Sequence, residues 1–165
     1  RVDSLLLRFL GLAGVCSVFL VICYMEVNMR FRNEYWFLSN MYPCSIWYEG
    51  ALTGRYMFKS VETIFQMMKC ADDNEKIDFV LLNGSEAKKR GRRVKLRSDW
   101  YEVKVDVMKS ILESKFSNPE LLNKLKAVKG EIVEDNHWGD RYWGKCNGVG
   151  KNMLGKLLME IRDGG

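Results

Sequence analysis

The sequence predicts an α+β domain that is mostly helical and contains one small β region. After residue 60, apolar residues recur at three- and four-residue spacing, which is the period of an amphipathic helix. Before that point, residues 45–58 are rich in aromatic residues and flanked by glycines, as short strands are. The chain has 165 residues, 47% of them hydrophobic, so it is long enough for one domain with a substantial core.

The first 28 residues are expected to form a leader outside this domain. Residues 9–24 are a run of 16 apolar residues, which is short for a membrane span. The run also resembles the apolar part of a signal peptide. Because Met25 and Met29 follow it, upstream sequence read into the open frame is a third interpretation. Under all three the domain occupies residues 29–165, and the protein is membrane-anchored only if the run is genuine and retained.

The elements follow in order along the domain. Two aromatic segments on either side of Gly50 and Gly54 predict a short β region at 45–58. Periodic apolar positions then predict helices near 60–71, 75–82, 85–91, 99–116, 119–128 and 151–162. No repeat or Pro/Gly-rich linker interrupts this region, so we expect a single folding unit.

Capping residues indicate where two of these helices begin. Ser98 is expected to cap the long helix, with Trp100 and Ile111 on its apolar face. Asn118-Pro119-Glu120 is typical of an N-cap followed by the first two residues of a helix. The last helix has an apolar face made of Leu154, Leu157, Leu158 and Ile161.

The composition excludes several kinds of site. Five cysteines without a CxxC pair argue against a disulfide framework and against a zinc site, and reduced thiols indicate a cytoplasmic protein. The one histidine, His137, argues against a His-rich metal centre, and we interpret it as a surface residue rather than a general acid. No feature calls for a metal or a cofactor.

The charge predicts an anionic partner. The net charge of the chain is +5, and residues 29–165 carry all of it. Residues 86–97, which include Lys88, contain seven basic residues among twelve and no aromatic residue. Such a run is typical either of a surface that meets a phosphate-rich partner or of a solvated helix end, and the two interpretations have similar weight.

The first predicted helix carries a line of polar groups. At about 100° per residue, Glu62, Gln66 and Lys69 fall on one side, next to an apolar stripe. A carboxylate, an amide and an amine would then share the edge of the core. The alternative is an ordinary solvated face with weak pairs between side chains.

A second candidate segment combines acidic residues with tryptophans. Glu134, Asp135 and Asp140 lie close in sequence to Trp138 and Trp143. A carboxyl group beside an indole ring is partly desolvated, which raises its pKa towards values useful for acid–base catalysis. Turn chemistry explains the same residue types equally well.

A glycine-rich turn precedes the last helix at residues 148–152. Free backbone N–H groups and Lys151 at such a helix start can receive an anion. The turn is not a P-loop, because Asn152 occupies the position where Ser or Thr would bind magnesium. A plain turn is the alternative interpretation.

Six motifs, in order and at compatible spacing, together resemble the NADAR (YbiA-like) family. They extend from about Arg30 to Arg162 and leave the leader outside. The motifs are Phe37-Leu38-Ser39-Asn40, Ser60-x-Glu62-x-x-Phe65-Gln66-x-x-Lys69, Ala87-Lys88-x-x-Gly91-Arg92, Asp99-Trp100, Trp138-Gly139-Asp140-x-x-Trp143-Gly144 and Gly150-x-Asn152-x-Leu154-Gly155-x-x-Leu158-Met159-x-x-Arg162.

The resemblance implies a YbiA-like fold and cleavage of a bond between ribose C1 and a nitrogen. Members of the family act as N-glycosidases on intermediates of riboflavin synthesis, or remove ADP-ribose from guanine in nucleic acid. The implied partner is therefore a phosphorylated, ribose-containing small molecule or an ADP-ribosylated nucleic acid.

The resemblance also implies catalytic roles for matching residues. Glu62 would contact the sugar, and Asp140 would act near the anomeric carbon. Either carboxylate would stabilise positive charge on the ribose while the other positions water. Alternatively, a lysine would attack C1 and form a Schiff base on the opened ribose, with Lys69 as the first candidate and Lys88 as the second.

The remaining matched positions are expected to bind substrate. Arg32 would meet phosphate or ribose, and Asn40 the edge of the ligand. Trp100 and Trp143 would stack on the base. Gln66, Gly150 and Asn152 complete this set.

Two functions of other classes compete with this one. A non-catalytic nucleic-acid-binding module would use the basic run and bind with strong salt dependence, without needing the carboxylates. A membrane-anchored interaction protein would require the leader to be translated and retained.

Overall fold

A computed structural model of the protein describes residues 31–50 and 52–164. The predicted leader, with its three interpretations, lies outside the described residues. Within the part that is described, no helix is long and apolar enough to cross a membrane.

Helices make up about half of the described residues. The α-helices are α1 (Val61–Met68), α2 (Asp73–Lys76), α3 (Gly84–Gly91), α4 (Trp100–Phe116), α5 (Pro119–Ala127) and α6 (Met153–Asp163). Two 3₁₀ helices span Asn33–Leu38 and Ile77–Phe79. The predicted α+β class is confirmed.

The β structure consists of two small pairs of strands. β1 (Ile46–Glu49) and β2 (Arg55–Phe58) form an antiparallel hairpin within the predicted β region. β3 (Asp135–Asn136) and β4 (Lys145–Cys146) form a parallel pair, which the sequence did not predict. The second pair closes the loop that contains Asp140 and both of its tryptophans.

The helix ends agree with the sequence at one predicted cap and differ at the other. Asn118 accepts a hydrogen bond from the Glu120 N–H at 2.9 Å, as its motif predicts. The prediction that Ser98 caps α4 is wrong, because the N-cap residue is Asp99. The Asp99 carboxylate does not cap the helix either, since it binds the Arg97 guanidinium at 2.6 and 2.7 Å.

Helix α1 lies in the middle of the domain, and all eight of its residues are buried. It packs against α3 on one side and α4 on the other. Ser60 starts the helix by accepting a hydrogen bond from the Thr63 N–H. Polar side chains on α1 are therefore enclosed by neighbouring helices, and the interpretation of Glu62 and Gln66 as a solvated face is wrong.

The start of α6 is occupied by backbone rather than open to an anion. The N–H groups of residues 151–154 donate to the carbonyl oxygens of residues 141–144 at 2.8–3.3 Å. Gly150 makes this approach possible, because a Cβ atom there would lie 2.2 Å from the Gly144 carbonyl oxygen. The turn at 148–152 thus serves as a docking point for the Asp140 loop, which favours the plain-turn interpretation.

The Asn152 side chain also binds the backbone of residues 132–134 to the start of α6. It is buried, its Nδ2 donates to the Ile132 carbonyl at 2.8 Å, and its Oδ1 accepts from the Glu134 N–H at 3.1 Å. Its φ of 51° is left-handed, which asparagine and glycine tolerate best. The Asn152 side chain therefore holds the backbone of residues 132–134 in place, and with it the position of Glu134.

We expect Asn152→Gly to lower the free energy of unfolding by roughly 1–3 kcal/mol, because two buried backbone groups lose their partners while glycine keeps the backbone conformation. Chemical denaturation measures the change. Asn147→Gly is the matched control, since the exposed Asn147 also has a left-handed φ, of 53°, and should change stability little. Equal effects of the two substitutions would contradict the role assigned to the Asn152 side chain.

Candidate active site

A cleft of about 370 Å³ lies where α1, α3, α4 and the loop before β4 meet. Five separate parts of the chain line it, since residues 39–41 also contribute. The lining residues are Ser39, Asn40, Met41, Glu62, Phe65, Gln66, Lys69, Lys88, Met108, Glu134, Trp138, Asp140 and Trp143. Its volume is within the range of small-molecule sites, roughly 300–1,000 Å³.

The predicted line of polar groups on α1 is confirmed as a hydrogen-bonded chain. Lys69 Nζ donates to Gln66 Oε1 at 2.8 Å, and Gln66 Nε2 donates to Glu62 Oε1 at 2.7 Å. The spacings of three and four residues place these side chains above one another on the helix. Glu62 and Gln66 are only 7% and 5% exposed, so the helix presents a fixed carboxylate to the cleft.

Gly91 allows this chain to form. A Cβ atom at Gly91 would lie 2.0 Å from Gln66 Oε1 and 2.9 Å from Gln66 Cδ. A side chain at position 91 would therefore displace the Gln66 amide, which links Lys69 to Glu62. The glycine of the Ala87–Arg92 motif thus has a steric function in the site.

We expect Gly91→Ala to destabilise the protein by roughly 1–3 kcal/mol, since the added methyl group overlaps Gln66 and outweighs the higher helix propensity of alanine. Chemical denaturation of a double-mutant cycle tests this origin. In a Gln66→Ala background the overlapping amide is absent, so the cost of Gly91→Ala should become much smaller. A cost that is unchanged in that background would place the clash elsewhere.

Lys69 is an amine with a lowered pKa. Burial is the main cause, and the nearby cations of Lys88 and Arg92 act in the same direction, while Glu62 opposes them. Lys88 reaches the same cleft from α3 but is an exposed residue. The structure thus brings both candidate lysines to the cleft, and only Lys69 is hydrogen-bonded into the polar chain of α1.

Asp140 is held in place by its own loop. Its Oδ1 accepts from the N–H groups of Tyr142 and Trp143 at 2.8 and 2.9 Å. The buried side chain of Asn136 bonds both backbone groups of Asp140, at 2.7 Å to the carbonyl and 3.1 Å from the N–H. This loop therefore positions a carboxylate and the Trp143 indole together at the cleft.

Glu134 is a further acidic residue of the cleft, which the predicted site residues did not include. Its Oε2 is buried and has no hydrogen-bond partner among the described residues. Burial raises its pKa to about 7, and the carboxylates of Asp140 and Glu62 add to the increase. The Lys88 ammonium opposes this increase. The residue is therefore a proton donor or acceptor near neutral pH.

Only an indirect signal in the sequence pointed to Glu134. It belongs to the acidic and aromatic cluster in which a raised pKa was expected, but that reasoning did not distinguish it from Asp135 or Asp140. Its burial comes from α1 and from the docking of residues 132–134 on Asn152, which are distant in sequence. Because these contacts join residues that are far apart in the chain, no local sequence pattern predicts them.

Asn40 contributes a second unsatisfied acceptor. Its Oδ1 is buried and has no partner in the described part of the chain, while its carbonyl oxygen accepts from the Glu62 N–H at 2.9 Å. Leaving buried acceptors unpaired costs stability, roughly 1–3 kcal/mol each. Two such oxygens in one cleft are available to accept hydrogen bonds from a ligand or from water.

Aromatic side chains line the cleft, and another packs behind them. Trp143 lines the cleft, and Phe65 packs against it edge-on, with ring centroids 5.3 Å apart at 89°. Trp100 is 4% exposed and packs behind Phe65 at 4.9 Å, so it lies outside the lining. Of the two predicted stacking residues, the structure therefore places Trp143 at the cleft and Trp100 in the core.

Three other predicted substrate-binding residues lie away from the cleft lining. Arg32 is exposed at the start of the first 3₁₀ helix. Gly150 and Asn152 are engaged in the backbone contacts at the start of α6 described above. The structure brings together Glu62, Gln66, Lys69, Lys88, Asn40, Asp140 and Trp143 from the predicted set, and adds Glu134.

The basic run at residues 86–97 is divided between several environments. Arg90 pairs with Asp78, and Arg97 pairs with Asp99. Lys88 lines the cleft, whereas Lys89 and Arg93 line a separate groove. In the described residues, no group of three or more His, Cys, Asp or Glu side chains is arranged to hold a metal ion.

The site can support acid–base chemistry at a carbon that becomes positively charged. Three carboxyl groups line it, one of which titrates near neutral pH. Carboxylates stabilise a developing cation, and a protonated carboxyl group can donate to a leaving atom. The Trp143 indole offers a flat surface for an aromatic group.

Comparison with known proteins identifies the family of the chain. The NADAR domain family matches residues 28–164. A riboflavin biosynthesis protein of Vibrio vulnificus (strain YJ016) is 31% identical over 134 residues, which cover 77% of this chain and 35% of that protein. The N-glycosidase YbiA of Shigella boydii serotype 4 (strain Sb227) is 42% identical over 76 residues, 45% of this chain and 48% of that protein.

A solved structure has the same fold. The NMR structure of the E. coli protein YbiA superposes with a TM-score of 0.71 at 31% identity, covering 82% of each chain. The chain spans 35% and 48% of the lengths of these two curated relatives. The family match, the relatives and the shared fold establish that the chain belongs to the NADAR family.

Proposed function

We propose that the protein is an N-glycosidase that hydrolyses the bond between ribose C1 and a nitrogen atom. The observation that carries the proposal is the cleft in which the fixed Glu62–Gln66–Lys69 chain faces Glu134 and Asp140. Relatives named N-glycosidase YbiA and riboflavin biosynthesis protein support the reaction class.

In the direct route, the C1–N bond breaks and its electron pair leaves with the nitrogen. The ribose becomes an oxocarbenium-like cation, which the Glu62 carboxylate stabilises. Glu134 in its protonated form donates a proton to the departing nitrogen, which its raised pKa allows near neutral pH. Water then attacks C1 and gives a proton to the Glu134 or Asp140 carboxylate.

A second route uses a lysine. When the ribose ring opens, C1 is held to nitrogen as an imine, and the neutral amine of Lys69 attacks C1 and displaces the original nitrogen as a free amine. Water hydrolyses the new Schiff base, and the lysine is regenerated. Burial lowers the pKa of Lys69, which increases the fraction of neutral amine and supports this route.

Borohydride trapping separates the two routes. A Schiff base on Lys69 would be reduced to a stable adduct, which adds the mass of the opened ribosyl group and maps to Lys69 by peptide mass spectrometry. Lys69→Arg would abolish that adduct, and Lys88→Arg would not. Direct hydrolysis produces no adduct in any of these proteins.

We propose a substrate in which the ribose carries phosphate. Either ADP-ribose attached to guanine in nucleic acid or a phosphorylated ribosylamino intermediate of riboflavin synthesis has the required C1–N bond. The positive charge of the domain and the lysines at the cleft favour such an anionic substrate.

The test is to incubate the 165-residue protein with guanine-ADP-ribosylated oligonucleotides and, separately, with a ribosylaminopyrimidine phosphate. Release of ADP-ribose or of ribose 5-phosphate, measured by chromatography, supports the proposal and identifies the substrate. Salt-dependent oligonucleotide binding without release from either compound would favour the non-catalytic binding module instead.

A further inference from the structure

Lys115 is a buried lysine that the two proposed routes of hydrolysis do not use. It lies in the last turn of α4 and is 1% exposed. Burial lowers the pKa of its ammonium to about 8, and the Cys44 thiol acts in the opposite direction. No carboxylate of the described residues contributes to this shift. A fully buried lysine without a carboxylate partner is rare, because its charge loses its hydration.

The Lys115 ammonium is bonded to the turn that forms one wall of the cleft. Its Nζ donates to the Ser39 carbonyl oxygen at 3.0 Å, and the same oxygen accepts from the Tyr42 N–H at 3.2 Å. Nζ also lies 5.6 Å from the centre of the Tyr42 ring, within the range of a cation–π contact. Residues 39–41 line the cleft, so Lys115 contacts this wall from its buried side.

A second contact from α4 orients Asn40 within the same turn. Asn40 Nδ2 donates to Met108 Sδ at 3.7 Å, and Met108 lies seven residues before Lys115, on the same face of the helix. The Asn40 carbonyl accepts from the Glu62 N–H at 2.9 Å. The turn is therefore attached to α4 at two points and to the start of α1 at a third. These contacts leave Asn40 Oδ1 as a buried acceptor without a partner among the described residues.

Packing alone does not require a lysine at position 115. Methionine fills a similar volume without a charged group, and replacing a buried charge by an apolar side chain of similar size is often neutral or stabilising. The Ser39 carbonyl would keep the Tyr42 N–H as its donor after such a replacement. The lysine therefore costs stability relative to methionine, and its bond to the turn is what distinguishes the two side chains.

We propose that Lys115 is a positioning residue of the cleft, whose ammonium fixes the Ser39 carbonyl and thereby holds Asn40 Oδ1 in place to accept a hydrogen bond from the substrate. The inference rests on the proposed function for the identity of that substrate. Lys115 does not line the cleft, so it acts through Asn40.

The first test is a double-mutant cycle of Lys115→Met and Asn40→Ala in the 165-residue protein. The measured quantity is kcat/KM for whichever substrate the wild type cleaves, the guanine-ADP-ribosylated oligonucleotide or the ribosylaminopyrimidine phosphate. We expect each single substitution to lower kcat/KM about tenfold, since each removes the same oriented hydrogen bond. The double variant should be less than about twofold worse than Asn40→Ala alone, because residues that act through one contact are not additive.

The second test needs no substrate. Amide hydrogen exchange followed by NMR should be at least about threefold faster in Lys115→Met at the Tyr42 and Glu62 N–H groups, which donate to the turn. Amides of α3 should exchange as in the wild type. The variant should unfold at an equal or higher denaturant concentration, whereas a residue needed only for packing would lower it.

Lys109→Met is the matched control, because Lys109 lies on the same helix but pairs with Glu160 at the surface. Its kcat/KM and its exchange rates at Tyr42 and Glu62 should match the wild type. A similar loss in this variant would assign the effect to the charge of α4 rather than to the bond with Ser39, and would overturn the proposal.

Three further results overturn the proposal: Lys115→Met fails to fold or is less stable than the wild type, the Tyr42 and Glu62 amides exchange at unchanged rates, or the losses of Lys115→Met and Asn40→Ala are additive. If the wild type cleaves neither substrate, the proposed function is rejected, and the exchange rates still decide whether Lys115 holds the turn. The two failures are therefore distinguishable.

Discussion

Replacing Glu62 by glutamine is expected to reduce turnover about a thousandfold while leaving the fold intact. The substitution removes the negative charge that faces the positively charged ribose in the transition state. It keeps the shape of the side chain and an oxygen that can still accept from Gln66 Nε2. Product release measured under single-turnover conditions reports the loss at the chemical step.

The control for this experiment is Glu113→Gln, which alters an exposed carboxylate on α4. Its activity should match the wild type, and circular dichroism should show that both variants are folded. Turnover by Glu62→Gln within about twofold of the wild type would remove Glu62 from the mechanism. Complete loss of binding for ribose 5-phosphate would instead assign it to substrate binding.

Glu134→Gln is expected to reduce turnover by roughly a hundredfold or more, because the leaving nitrogen loses its proton donor. The pH dependence should change as well. Burial and the carboxylates of Asp140 and Glu62 hold the pKa of Glu134 near 7, so the wild type should lose activity as the pH rises through about 7. That limb should be missing from the profile of the variant. Rates measured between pH 5 and 9 make the comparison.

The same substitution should make the protein more stable above neutral pH. The folded state raises the pKa of Glu134 from 4.5 to about 7, so it binds a proton that the unfolded chain has released. Stability therefore falls as the pH rises from about 4.5 to about 7 and the cost remains at higher pH. Glutamine carries no such cost, which predicts a gain of roughly 1–3 kcal/mol at pH 8.

This combination of lower activity and higher stability identifies a functional group rather than a structural one. Denaturation at pH 5 and pH 8 measures the gain, which should be smaller at pH 5. A Glu134→Gln variant that is fully active and no more stable than the wild type would show that the side chain is solvated in solution and takes no part in the reaction.

The agreement between sequence and structure is best where contacts are local. The Glu62–Gln66–Lys69 chain depends on residues three and four apart on one helix, and the periodicity of the segment was sufficient to predict it. The cap at Asn118 is similarly local. The predicted cap at Ser98 was wrong, because α4 begins at Trp100 and its N-cap residue is therefore Asp99. The Asp99 carboxylate accepts a hydrogen bond from Arg97 instead of capping the helix.

The role of Trp100 shows where local reasoning stopped. An exposed and a buried tryptophan have the same sequence signal, and α4 places Trp100 behind Phe65 rather than beside a ligand. Asn152 is similar, since its partners at Ile132 and Glu134 lie about twenty residues earlier in the chain. Motif membership indicated that these residues matter, and only their contacts show how.

The sequence by itself determined the helical class, the polar face of α1, the positive charge and the resemblance to the family. These properties depend on composition and on spacings within one element. The tertiary structure decided that a carboxyl oxygen of Glu134 is buried near two other carboxylates and that Gly91 leaves room for the Gln66 amide. Desolvation and steric fit depend on groups that are distant along the chain, and folding alone brings them together.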